Sequence, residues 1–113
     1  MSNYLPVENE VESIVEIPDN SFQGGPVLFV SEYKIAPENR DVAQERFKKT
    51  GGAPPQGVKV IGRWHSVVGG RGVTVYEAND AQLIAQWAQQ WSDVISFEIY
   101  AAIDDAGFAK VIG

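Results

Sequence analysis

An α+β fold with the element order β-α-β-β-α-β is predicted by three features of the sequence. Four stretches are apolar, β-branched or aromatic in the manner of strands, two stretches carry apolar residues at helical spacing, and Gly/Pro clusters separate them. At 113 residues, 44% hydrophobic and 21% charged, the chain has the length and composition of one globular domain.

The first strand is Val27-Leu28-Phe29-Val30-Ser31-Glu32-Tyr33-Lys34. Pro37 stands where proline is tolerated, at the start of a helix running to about Lys49. Val42, Ala43, Arg46 and Phe47 give that helix its periodicity, and Thr50-Gly51-Gly52-Ala53-Pro54-Pro55 ends it. Residues 58–66 form the second strand, Gly69-Gly70-Arg71-Gly72 a hairpin turn, and residues 73–78 the third strand. Asn79 or Asp80 caps a second helix, which carries Leu83, Ile84, Trp87, Ala88 and Trp91 on one broad face. Residues 94–103 form the fourth strand, and the tail 104–113 reads as weak helix or coil. The order is the ferredoxin-like split βαβ motif: a four-stranded antiparallel sheet with two helices on one face. The other face is left for solvent, a ligand or another subunit.

Residues 1–26 differ in character. Glu8, Glu10, Glu12, Glu16 and Asp19 crowd there without Lys or Arg, so an acidic N-terminal arm precedes a domain spanning 27–113. Residues 13–17 of the arm have the composition of a short edge strand.

Composition also excludes chemistry. The net charge of −6 argues against nucleic acid and against anionic lipid as partners. With no cysteine and one histidine, thiolate catalysis, Cys-ligated zinc and a multi-histidine metal site are outside a single chain's means, so no metal is expected. The N-terminus lacks the basic region and apolar core of a signal peptide, and no apolar run reaches the roughly 20 residues of a membrane span, so a cytoplasmic protein is expected.

The densest chemistry lies in Gly62-Arg63-Trp64-His65, at the end of an apolar run. Strict alternation along the second strand puts Val58, Val60, Gly62 and Trp64 on one side and Lys59, Ile61, Arg63 and His65 on the other. In the fourth strand Phe97 and Ile99 form the helix-facing set, opposite Glu98 and Tyr100. Arg63, His65, Glu98 and Tyr100 are therefore expected together on the open face; a bulge in either strand would reverse the assignment beyond it. There Glu98 would fix the imidazole tautomer, Arg63 would hold an anionic group and Tyr100 would donate to an oxyanion. His65, Arg63 and Glu98 are the candidate catalytic residues, and Tyr100, Trp64 and Trp91 the candidate ligand contacts. Each also has an ordinary structural role: surface histidine, ion pair, or core and interface aromatic. The glycine-rich runs at 51–52 and 69–72 lack the context of a phosphate loop and are turns.

The stretches Tyr33-Lys34-Ile35-Ala36-Pro37-Glu38-Asn39-Arg40, Gly62-Arg63-Trp64-His65-Ser66 and Gln90-Trp91-Ser92-Asp93-Val94, followed by Phe97-Glu98-Ile99, resemble a bacterial family catalogued only as a domain of unknown function. It belongs to the dimeric α/β-barrel superfamily, alongside cofactor-free monooxygenases, muconolactone-isomerase-like proteins, haem-degrading monooxygenases and stress-responsive barrels. The resemblance covers about residues 27 to 104, leaving out the N-terminal arm, and implies a homodimer with a pocket between sheet and helices or between subunits. Haem-degrading members use a helical histidine, whereas His65 lies in a strand, so no cofactor is expected. The functional expectation is a homodimer binding a small, anionic ligand at the open sheet face. The alternative is a cofactor-independent monooxygenase- or isomerase-like enzyme with His65 as general base.

Overall fold

The computed structural model describes residues 25–113. The acidic arm expected over residues 1–26, with its short strand, lies outside the described residues but for its last two positions. The elements are β1 (Val27–Lys34), a 3-10 turn (Pro37–Asn39), α1 (Arg40–Thr50), β2 (Val58–His65), β3 (Arg71–Ala78), α2 (Ala81–Gln89), β4 (Ser96–Ala102) and α3 (Asp105–Ile112). The strands form one antiparallel sheet in the order β2-β3-β1-β4. This is the ferredoxin-like α+β fold, with β1 and β3 at the centre and the two crossover strands at the edges.

Local chemistry sets the boundaries. Pro37 begins the turn that leads into α1. Gly51 ends α1 in the left-handed region, its N–H donating to the Phe47 carbonyl at 2.7 Å. Asp80, rather than Asn79, caps α2 by accepting from the Gln82 N–H at 2.8 Å. β3 starts at Arg71, two residues before the expected 73, because Ser66 N–H donates to the Arg71 carbonyl and carries the ladder into the glycine run. β4 starts at Ser96 rather than 94, since Val94 and Ile95 still donate to the Trp91 carbonyl at the end of the α2 turn. The tail forms the helix α3, with Asp104 accepting from the Gly107 N–H.

The core lies between the sheet and α2. Tyr76, 2% exposed, meets Trp87 edge to face at 5.3 Å, and Val58, Ala78 and Ile84 complete the buried cluster. α1 sits over the other half of the same sheet face and buries Ala43. Arg46 ties α1 to the segment that follows α2. Its guanidinium grips Asp93 at 2.9 and 2.8 Å, donates to the Gln90 carbonyl and stacks 5.3 Å from the Trp91 ring. This contact raises the Arg46 pKa and lowers that of Asp93, chiefly through their mutual hydrogen bonds.

β2 is not regular. Val60 pairs with Tyr76 and Gly62 with Val75, leaving Ile61 as an extra, unpaired residue. A side-chain period of two means that one inserted residue turns everything beyond it to the opposite face. Val58 and Val60 face the helices, and so do Arg63 and His65, which pair with the helix-facing Thr74 and Gly72. Trp64 is turned outward and is 57% exposed. The expected grouping of Arg63 and His65 with Glu98 and Tyr100 on the open face is thereby corrected. β4 keeps its alternation, with Phe97 and Ile99 toward the helices, so Glu98 and Tyr100 remain on the open face.

Candidate functional site

The register across four strands assembles the site. On the helix-facing side, one row runs His65, Gly72, Tyr33 and Phe97 across β2, β3, β1 and β4. The next row runs Arg63, Thr74, Ser31 and Ile99. Gly72 leaves a space in the first row that the Tyr33 ring fills. A Cβ at Gly72 would lie 2.5 Å from that ring and 2.4 Å from the Trp64 carbonyl oxygen. Because the space is free, the Tyr33 hydroxyl reaches His65 Nδ1 and hydrogen-bonds to it. Burial pushes the Tyr33 pKa up, against the lowering effect of the nearby Arg63 charge. The contact is made either with the phenol donating to Nδ1 or with Nδ1–H donating to the phenol oxygen, depending on the imidazole tautomer.

Arg63 is held as firmly. Nη1 donates to the Gly51 carbonyl at 3.2 Å, Nη2 to the Gly52 carbonyl at 2.8 Å and Nε to Thr74 Oγ1 at 3.4 Å. Its guanidinium lies 5.5 Å from the Phe47 ring centroid. The carbonyls it caps are at the negative end of the α1 dipole, which accounts for a cation half-removed from water at this place. Burial lowers the Arg63 pKa from its ordinary value. Gly52 is needed for this arrangement: its φ is +61°, and a Cβ would lie 2.7 Å from Phe47 and 2.9 Å from Arg63 Nη1. Among the described residues no carboxylate forms an ion pair with Arg63.

These groups stand at one end of a cavity of about 420 Å³ between the sheet and the two helices. Its walls are largely aromatic and aliphatic: Phe47, Tyr76, Trp87, Trp91, Phe97 and Ile99. No Asp or Glu lines it. Phe47 lies edge-on to the His65 ring at 5.8 Å, closing the polar end from the helix side. The volume falls within the usual range for small-molecule sites, and so does the pattern of apolar walls with a few converging polar groups.

Of the residues singled out in the sequence, His65, Arg63 and Trp91 come together here. Glu98, Tyr100 and Trp64 lie on the opposite face of the sheet, so the expected His65–Glu98 pair does not form. A second cleft of about 480 Å³ lies among Val30, Glu32, Trp64, Arg71, Val73 and Tyr100 of that face, and at the sheet's end it is bordered by Tyr33 and His65 as well. Tyr100 donates to Glu32 at 3.1 Å, a contact that raises its pKa. Glu32 also stands directly across from Glu98. Tyr33, Phe47 and Gly72 were not among the expected site residues. The alternation Phe29, Ser31, Tyr33 in β1 carries the signal for Tyr33, while nothing local distinguishes Gly72 from a turn glycine. No group of three or more His, Cys, Asp or Glu among the described residues is placed to hold a metal ion. No helix among them is long and apolar enough to cross a membrane.

Fold and cavity together define a ferredoxin-like domain with a helix-side pocket. Residues 27–113 match the family described as Domain of unknown function (DUF3303), beginning where β1 begins, and the chain belongs to that family. No curated protein matches the chain. Among solved structures, it is similar to Rv0793 from Mycobacterium tuberculosis at 14% identity and a TM-score of 0.46, over 73% of this chain and 99% of that one. It is also similar to an uncharacterized NIPSNAP-like domain protein from Burkholderia xenovorans, at 13% identity and a TM-score of 0.44, over 71% of this chain and 87% of that one.

The packing of Tyr33 over Gly72 predicts a specific cost. Gly72→Ala is expected to destabilise the fold by about 1–3 kcal/mol through overpacking in denaturant unfolding. Tyr33→Phe, which loses one hydrogen bond, should cost only about 0.5–1.5 kcal/mol. A Gly72→Ala protein as stable as the parent would contradict the arrangement.

Proposed function

We propose that this protein is a cytoplasmic small-molecule-binding domain, built from residues 27–113, whose site is the cavity between sheet and helices. The ligand is a mostly apolar, flat molecule carrying one hydrogen-bond-accepting or anionic group. The observation that carries this reading is the cavity itself: a largely apolar chamber whose polar groups include Arg63, His65, Tyr33 and Lys48, with no acidic side chain among its walls. The reading first made for the open face moves to the helix side with Arg63 and His65, while Glu98 and Tyr100 stay behind. Arg63 and His65 recognise the polar group, and Trp91 contributes to the apolar wall.

The alternative, a cofactor-independent monooxygenase- or isomerase-like enzyme, needs His65 as general base. A base needs a free lone pair facing the substrate. The Tyr33 contact occupies Nδ1, so Nε2 is the ring nitrogen left for that role.

Binding is tested with 1-anilinonaphthalene-8-sulfonate, a flat apolar anion that fluoresces when removed from water. The parent should bind one molecule per chain with quenching of tryptophan emission, since Trp87 and Trp91 line the cavity. Arg63→Met should weaken binding by at least tenfold, while Glu98→Gln on the other face should leave it unchanged. Equal binding by all three proteins would remove the cavity as the site.

A homodimer through the open sheet face completes the reading. Val30, Val73, Trp64 and Tyr100 make that face apolar. The acidic pair Glu32/Glu98 lies one row from the basic pair Lys34/Arg71. A two-fold axis can set each pair against its opposite on the second copy, as an isologous contact requires. Light scattering at tens of micromolar should give twice the 12.4 kDa chain mass, and Trp64→Glu should give the monomer. A monomeric parent would exclude this contact.

A further inference from the structure

The sheet is flanked by two apolar patches that the described residues leave uncovered. The first is α3. Phe108, Val111 and Ile112 follow one another at three and four residues, which puts them on one face of the helix, and each is more than half exposed. Ile103, just before the Asp104 cap, is exposed as well. α3 buries none of its own residues and supplies none to the core cluster. A helix of eight residues is too short to persist in water on propensity alone, and most helical stability comes from a packed apolar face. α3 has such a face, and the described residues do not bury it. The second patch is the tip of the β2–β3 hairpin, where Val67 and Val68 stand almost wholly in water. The turn itself is fixed: Gly69 N–H donates to the Ser66 carbonyl at 2.9 Å and Val68 N–H to Ser66 Oγ at 3.4 Å. Turns favour Gly, Asn, Asp and Ser, so the two valines contribute nothing to it. Apolar patches of this kind mark contact surfaces.

Topology relates the two patches. β4 is one edge strand, and α3 leaves it at the end of the sheet where β1 begins. The hairpin joins the other edge strand, β2, to β3 at the end where β1 finishes. The patches therefore stand at diagonally opposite corners of the sheet. When two open faces meet about a two-fold axis along the other diagonal, these corners exchange, and α3 of each copy meets the hairpin tip of its partner. That reciprocity is what an isologous contact requires. Size points the same way. Four strands of seven or eight residues, at about 3.3 Å per residue and about 4.8 Å between strands, outline a face of roughly 500 Å². A stable interface buries about 800 Å² on each partner. The sheet face alone falls short of that, and the two corners supply more.

We infer that α3 is a clasp between two copies of this chain: its apolar face docks on the partner's Val67 and the partner's Val68, and the partner's α3 docks in return. The inference rests on the open-face dimer and adds the contacts that close it at both ends. It also gives the tail helix a source of stability that its own chain does not supply.

The chain has no cysteine, so introduced thiols report the contact without background. Val67→Cys and Val111→Cys proteins are purified separately and treated with a short bis-maleimide, each alone and after mixing. The mixture should give covalent dimer in at least fivefold greater yield than either protein alone, because only a mixed dimer brings the two positions together. Sedimentation equilibrium supplies the second measurement. Val111→Lys places a charge on the docking face, at the end of the helix where a cation suits the dipole. It should raise the dimer dissociation constant at least tenfold while the protein still unfolds in one cooperative transition. Equal cross-linking in mixed and single samples, or a Val111→Lys dimer as tight as the parent's, would overturn the clasp and leave the open-face dimer standing. A monomeric parent would overturn both.

Discussion

One unpaired residue, Ile61, decides which face of the sheet carries the chemistry. In a regular β2 the residue that follows Val60 by three would point away from the helices. With Ile61 displaced from the ladder, Gly62 takes its place opposite Val75, and Arg63 drops into register with Thr74. A bulge costs ladder pairing locally. Here the displaced pairing is offset by three hydrogen bonds from Arg63 and by one between Tyr33 and His65. The same shift turns Trp64 out to the other face, its ring lying over Gly62, which lacks the side chain that would obstruct it.

The positive charge at the polar end then needs an explanation, because isolated buried cations are costly. Arg63 resolves this with backbone rather than carboxylate. The carbonyls of Gly51 and Gly52 lie just past the C-terminus of α1, where a cation is favoured by the helix dipole. A full carboxylate partner would neutralise the guanidinium and leave little attraction for a ligand. These backbone carbonyls hold it in place while supplying only a fraction of a compensating charge. The arrangement accordingly combines a fixed donor with a field still available to the cavity.

The order of elements was legible because each carries its signal locally: period-two strands, the Pro37 start of the first helix, the Asp80 cap, and glycine–proline breaks. The helix-facing set of β4 was legible for the same reason, since Phe97 and Ile99 alternate without interruption. The site was only half legible. His65, Arg63 and Trp91 stood out by residue type, and they do share the cavity. Their partners did not follow from alternation, because a bulge leaves no unambiguous mark in a run such as Val58-Lys59-Val60-Ile61-Gly62. Gly72 shows the other limit. Its role is to be absent beneath the Tyr33 ring, a property of three strands in register rather than of the hairpin it was read into. The tail helix α3 was underestimated because its cap, Asp104, is read only once the end of β4 is known.

The face on which His65 lies can be read most directly from proton contacts. His65 is the only histidine, so its ring protons are uniquely observable. Nuclear Overhauser contacts from that ring should go to the aromatic protons of Tyr33 and Phe47, whose ring centroids both lie 5.8 Å away. Contacts instead to the side chains of Glu98 or Tyr100 would mean that β2 runs without its bulge, and would contradict the helix-side site.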